Sequence, residues 1–136
     1  MDRLLVDSGF LVAYARANDP LHHKADIFLK EFSGRLITVA PSIVETCFFL
    51  VPQAKQHLLE WVHEGSLAVM DVPVAAYPEL SLIIGKYADR NVDFADAALV
   101  WLAGESGLRR ILTVDRADFS VFRLKGGKRF DLVSWL

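Results

Sequence analysis

Cysteine is almost absent from this chain: Cys47 stands alone among 136 residues, which excludes an internal disulfide and any cysteine-rich zinc site. Long apolar runs are missing too. The longest is interrupted by Pro41, Glu45 and Pro52 and falls short of the roughly 18 to 20 residues a membrane-spanning helix needs. "MDRLLVDSGF" has no basic region followed by an apolar segment and a small-residue cleavage site, so the expectation is a cytoplasmic protein. The sequence also lacks internal repeats, low-complexity segments and a strong charge bias, its net charge being −2.

What the chain does have is apolar content, 53% of residues against 24% charged. Disordered chains do not show that balance. A single domain spanning 1–136 is expected, large enough to enclose a core. Charge is unevenly spread: residues 109–129 hold seven Lys or Arg against Asp115 and Asp118, a local net of +5 that leaves −7 for the remainder. A basic face of this kind suits either a polyanion or plain solvation.

Continuous apolar "RLLV" (3–6) predicts a buried strand, followed by a helix from Ser8. "PLHHKADIFLKEF" (20–32) predicts a helix capped by Asp19, with Pro20 at its first position and Gly34 at its end. "LITVA" (36–40) predicts a second strand, and Pro41 a helix carrying Glu45. A helix is expected over 52–64, stopped by Gly65, then a strand over 67–72, helices over 74–88 and 93–105, and strands over 111–114 and 130–135. Strands alternating with helices imply a parallel or mostly parallel sheet covered on both faces.

Four acids sit alone in apolar surroundings. Glu45 is the only charged residue between Leu36 and Ala54, Asp7 the only one in "LLVDSGFLVAYA", and Asp96 the only one in "FADAALVWLAG". Asp115 follows the strand "ILTV". A buried, unpartnered carboxylate costs several kcal/mol or gives up its charge. On a helix Asp96 shares an inward stripe with Leu99, Val100 and Ala103. Asp7 and Asp115 fall at the carboxyl ends of strands, where open α/β sheets bind ligands. Clustered carboxylates repel unless they hold a proton or a hard cation, and an all-oxygen set suits Mg²⁺ or Mn²⁺.

Plainer roles compete. Asp93 can simply cap the helix it precedes, Asp96 can complement a helix dipole, Asp7 and Asp115 can be turn residues, and Asp118 can be a local cap. Glu45 resists such readings best. His22, His23, His57 and His63 have no acidic or cysteine partners at metal spacing and read as surface or packing residues. "GGK" at 126–128 lacks the spacing of a phosphate-binding loop.

The ordered set "LLVDSGFLVAYA", "APSIVETCFFL", "DFADAALVWLA" and "ILTVDRADF" resembles the PIN domain, and within it the VapC-like toxins of toxin–antitoxin pairs. The match runs from Leu4 to Phe130. The resemblance implies an α/β/α sandwich around a parallel sheet and a Mg²⁺- or Mn²⁺-dependent ribonuclease. It places the family's acids on Asp7, Glu45, Asp96 and Asp115, with Asp93 as a further metal-site candidate. Ser8 matches the hydroxyl residue after the first acid, and Gly9 takes a place often held by serine or another small residue.

On this reading the metal, held by Asp7, Asp96 and Asp115 with Glu45 completing the shell or orienting water, promotes in-line hydrolysis of RNA to 5′-phosphate and 3′-hydroxyl ends. Ser8, Arg116 and Arg123 are candidate substrate-binding residues. Single-stranded or looped RNA is the expected target, and the resemblance implies an antitoxin partner and a homodimer. Two rivals are weaker. A phosphotransfer module is disfavoured because position 9 is Gly rather than the second Asp of a dehalogenase-type phosphatase, and because Asp7 lacks the acidic neighbour of a receiver domain. A non-catalytic PIN-fold RNA-binding or assembly module is disfavoured because all four acids are present.

Overall fold

A computed structural model describes residues 2–136. Strands β1 (Asp2–Val6), β2 (Gly34–Val39), β3 (Leu67–Met70), β4 (Arg110–Leu112) and β5 (Asp131–Leu132) form one sheet in the order β3-β2-β1-β4-β5, every pairing parallel. Helices α1 (Ser8–Ala15), α2 (His22–Glu31), α3 (Ala40–Cys47), α4 (Pro52–His63), α5 (Tyr77–Lys86), α6 (Phe94–Ser106) and α7 (Arg116–Val121) supply the connections. Among the described residues no helix is long and apolar enough to cross a membrane.

The period-2 alternation of a strand divides the core. Leu4 and Val6 face a cluster with Phe10, Leu11, Ala25, Leu36 and Trp135, while Leu5 faces the other cluster with Leu99, Ile111, Phe119 and Phe122. Both faces of β1 are therefore dry, which is why its sequence reads as an unbroken apolar run. The expected α/β/α sandwich is what the chain forms.

Topology then locates the crevice. Successive connections carry the chain from β1 to β2 to β3 in one direction, and the next strand, β4, returns to the opposite side of β1. At such a switch point the connecting loops separate and leave an opening beyond the carboxyl ends of the strands. Here those ends are Val6 and Leu112. Asp7 and Thr113 come next.

Some boundaries differ from expectation. Helix α2 begins at His22 rather than Pro20, without a side-chain cap, because Asp19 accepts the Leu21 N–H at 2.8 Å and closes a turn instead. Gly34 begins β2 rather than ending α2; a Cβ there would stand 2.3 Å from the Asp2 carbonyl oxygen and 2.6 Å from the Phe32 ring. Only a glycine lets β2 pass this close to β1. The last strand pairs over two residues, Asp131 and Leu132, because Trp135 turns inward to donate its indole N–H to the Thr113 carbonyl at 3.0 Å.

Candidate metal centre

Three of the five predicted site acids are helix N-caps. Asp7 Oδ1 accepts the Phe10 N–H at the start of α1 (2.9 Å), Asp93 Oδ1 the Asp96 N–H at the start of α6 (2.8 Å), and Asp115 Oδ1 the Asp118 N–H at the start of α7 (3.1 Å). Each cap satisfies a donor the helix leaves open, and the positive end of the helix favours the carboxylate. Asp93 thus fills the plainer role of a cap, with its second oxygen turned from that bond. Asp96 sits in the first turn of α6, half-buried, on the helix flanked by fully buried Ala97, Ala98 and Leu99.

The fifth acid, Glu45, comes from α3, which packs against both α1 and α6. Ser8 Oγ donates to Glu45 Oε1 at 2.7 Å, so the first residue of α1 orients the lone carboxylate of α3. Behind them lies a residue the sequence reading passed over. Thr113, fully buried, donates its hydroxyl to Asp7 Oδ2 and accepts the Asp115 N–H at 2.9 Å. One side chain thereby ties the carboxyl ends of β1 and β4 together.

The acids act on one another. Burial pushes the Asp7 carboxyl up to about 7 against the pull of its Thr113 and Phe10 bonds, with the charges of Asp115 and Glu45 adding to the rise. Burial followed by the charges of Asp93, Asp7, Glu45 and Asp115 pushes Asp96 to about 8. Glu45 is also raised, by burial and then by Asp93 against the Ser8 bond, and so is Asp115, by burial and the Asp118 carboxyl against the pull of the Asp118 N–H and, more weakly, of Arg90. The structure brings all five predicted acids into one electrostatic cluster, which Arg90 offsets only at its Asp115 edge.

Among the described residues no three His, Cys, Asp or Glu side chains are placed so that they could together hold a metal ion. The capping bonds explain the difference between a cluster and a finished site: they hold three of the carboxylates toward their own helices, and like charges gain by staying apart. As a donor set the cluster is all hard oxygen, negatively charged and partly withdrawn from water, which fits a hard divalent cation.

The candidate phosphate ligands are placed differently. Arg116 Nη1 donates to the Val133 carbonyl at 3.5 Å from an exposed position. Arg123 spends its guanidinium on the carbonyls of Ser120, Val121 and Phe122 at the end of α7. Asp118 is not a cap; it binds Arg90 Nη1 at 2.8 Å, which brings that arginine beside Asp115. The basic stretch 109–129 is also partly neutralised, Arg110 by Asp2 at 3.4 Å and Lys125 by Glu105 at 2.8 Å.

No family model matches the chain. It is 30% identical over 135 residues to ribonuclease VapC26 of Mycobacterium tuberculosis (strain ATCC 25618 / H37Rv), an alignment covering 96% of this chain and 99% of that protein. Two solved structures share the fold at 18% identity. M. tuberculosis VapC20, a sarcin-ricin loop cleaving toxin, superposes with a TM-score of 0.73 over 79% of this chain and 86% of its own. FitAcB from Neisseria gonorrhoeae superposes with a TM-score of 0.52 over 81% of this chain and 86% of its own.

Proposed function

This chain belongs to the VapC-like PIN-domain family of toxin endoribonucleases, and from that premise we propose that Asp7, Asp96 and Asp115 hold a divalent cation, with Glu45 and Asp93 completing the negative shell. The observation that carries the assignment is geometric: Thr113 ties Asp7 to Asp115 across the ends of β1 and β4 and Ser8 holds Glu45 against the start of α1, in a site where burial and neighbouring carboxylates push Asp7 to about 7 and Asp96 to about 8. Mg²⁺ or Mn²⁺ is the ion this oxygen set selects.

When bound, such an ion supplies positive charge to the phosphate and acidifies coordinated water. The chain's residues supply the geometry. Thr113 and the N-terminus of α1 hold Asp7 from two sides, leaving it little freedom to rotate. Ser8 occupies one oxygen of Glu45, so the other can accept a hydrogen bond from the attacking water. As that water attacks phosphorus its proton passes to Glu45 and the bond to the 3′ oxygen breaks; the departing oxygen takes a proton from solvent to become a 3′-hydroxyl, while the downstream fragment keeps a 5′-phosphate.

The substrate in this reading is single-stranded or looped RNA, the partner that restrains the enzyme a small antitoxin protein, the assembly a homodimer, and the compartment the cytoplasm. End-labelled RNA incubated with Mg²⁺ or Mn²⁺ tests the assignment: wild-type protein cleaves, chelator stops it, and Asp96→Asn purified identically does not cleave. Equal cleavage by Asp96→Asn overturns the metal-site reading.

A further inference from the structure

The carboxyl edge of the sheet carries more than the acids. Over β2 and β3, beside the cluster, lies a hollow of about 630 Å³ whose walls include Val44, Phe48, Tyr77 and Phe94. That volume is typical of small-molecule sites. Its aromatic rings are open to solvent, Phe48 at 81% exposure, and Tyr77 meets Phe94 edge to face at 5.6 Å. Glu45 and Asp93 line it as well, so the hollow and the acid cluster share a wall.

Lining chemistry identifies the occupant. No Lys, Arg, His, Asn or Gln side chain lines the hollow, so it offers a phosphate no cation and no side-chain amide. What it offers is aromatic surface, on which any base stacks. Its polar side chains, Tyr77 apart, are carboxylates, which accept hydrogen bonds and donate none. With Glu45 and Asp93 belonging to the cluster, the carboxylate left to read a base is Asp71, exposed just past the end of β3. Two carboxylate oxygens suit a base edge with two adjacent N–H donors. Guanine has that edge in N1–H and N2–H. Uracil presents one N–H between two carbonyls, and a carboxylate repels both.

We infer that this hollow is the subsite for the nucleobase adjoining the scissile phosphate, and that Asp71 makes it prefer guanine over uracil. The inference rests on the ribonuclease site proposed above. Its test separates the two. Binding is measured by fluorescence anisotropy with the non-cleaving Asp96→Asn protein and two short labelled RNAs, an oligouridine and the same strand with one guanosine. The guanosine strand binds about tenfold tighter. Adding Asp71→Asn brings the two strands close to parity, whereas adding Phe48→Ala weakens both by about tenfold, stacking being indifferent to base identity.

Equal binding of the two strands, or a preference untouched by Asp71→Asn, overturns the inference. If those same changes instead convert a dimer to a monomer in sedimentation, the hollow is a face between copies of this chain. Failure of wild-type protein to cut any RNA with Mn²⁺ sinks the metal-site reading and leaves the binding comparison intact, since that is read without cleavage.

Discussion

Thr113 and Asp7 are 106 residues apart in sequence and joined by a buried hydrogen bond, hydroxyl to carboxylate. Because the same hydroxyl accepts the Asp115 N–H, Thr113 sets the spacing of two acids that the strands alone only bring near. Thr113→Val keeps the shape and removes both bonds. The loss leaves a buried acceptor and an N–H unpaired, costing about 1–3 kcal/mol in urea unfolding. In metal-free protein the Asp7 carboxyl titrates higher still, since this bond is a lowering influence; carboxyl-carbon NMR measures it. An unchanged Asp7 titration contradicts the contact.

Stability of the metal-free protein depends on pH with a definite sign. Asp7 and Asp96 titrate near 7 and 8 when folded, against the ordinary value of 3.8 when unfolded. Between pH 4 and these folded values the native state binds protons that the unfolded state has released, so stability falls as pH rises through that window. In the presence of chelator, unfolding free energy at mildly acidic pH exceeds that at mildly alkaline pH by about 2 kcal/mol or more. Adding Mn²⁺ raises the melting temperature most on the alkaline side, where the carboxylates are ionised. A flat profile without metal removes the electrostatic basis of the site.

Asp96→Asn moves stability and activity in opposite directions. It deletes the charge that burial and four acidic neighbours oppose, so metal-free protein at alkaline pH melts higher than wild type. The same change removes a proposed ligand and lowers cleavage by more than about 100-fold, the upper end of what loss of a supporting outer-shell group costs. Thermal melting and RNA cleavage on one preparation check both halves. A variant that loses both stability and activity has merely been damaged.

The parts of this fold legible in sequence are those whose causes are local. Pro52 and Gly65 bracket α4, Asp93 announces α6, and the apolar runs mark the inner strands. The isolation of Glu45, Asp7 and Asp96 gave away the cluster because an apolar neighbourhood makes a carboxylate conspicuous. What escaped depends on tertiary partners. Thr113 is one hydroxyl in a strand exit until Asp7 is beside it. Arg90, in a 3-10 turn before Asn91 with its left-handed φ of 53°, is an ordinary surface arginine until Asp118 draws it toward Asp115. Gly34 looks like a helix stop until the Asp2 carbonyl fills the space its side chain would need.

Gly9 shows the same dependence at the centre of the site. A Cβ built on it stands 2.2 Å from Val114 Cγ2, so α1 lies against the segment joining Thr113 to Asp115 only because residue 9 has no side chain. The methyl it meets belongs to a β-branched residue with little rotamer freedom. Gly9→Ala therefore pushes that segment outward, away from Asp7, and costs about 1–3 kcal/mol as overpacking, with a drop in cleavage as the bond from Thr113 to Asp7 opens. Val114 is 37% exposed, so truncating it alone leaves a modest deficit. Combining Gly9→Ala with Val114→Ala removes the obstructing methyls and recovers most of both stability and cleavage. A double variant no better than Gly9→Ala alone shows that the loss comes from α1 itself. Recovery shows that the closeness of α1 to β4 holds Asp7 and Asp115 at working distance.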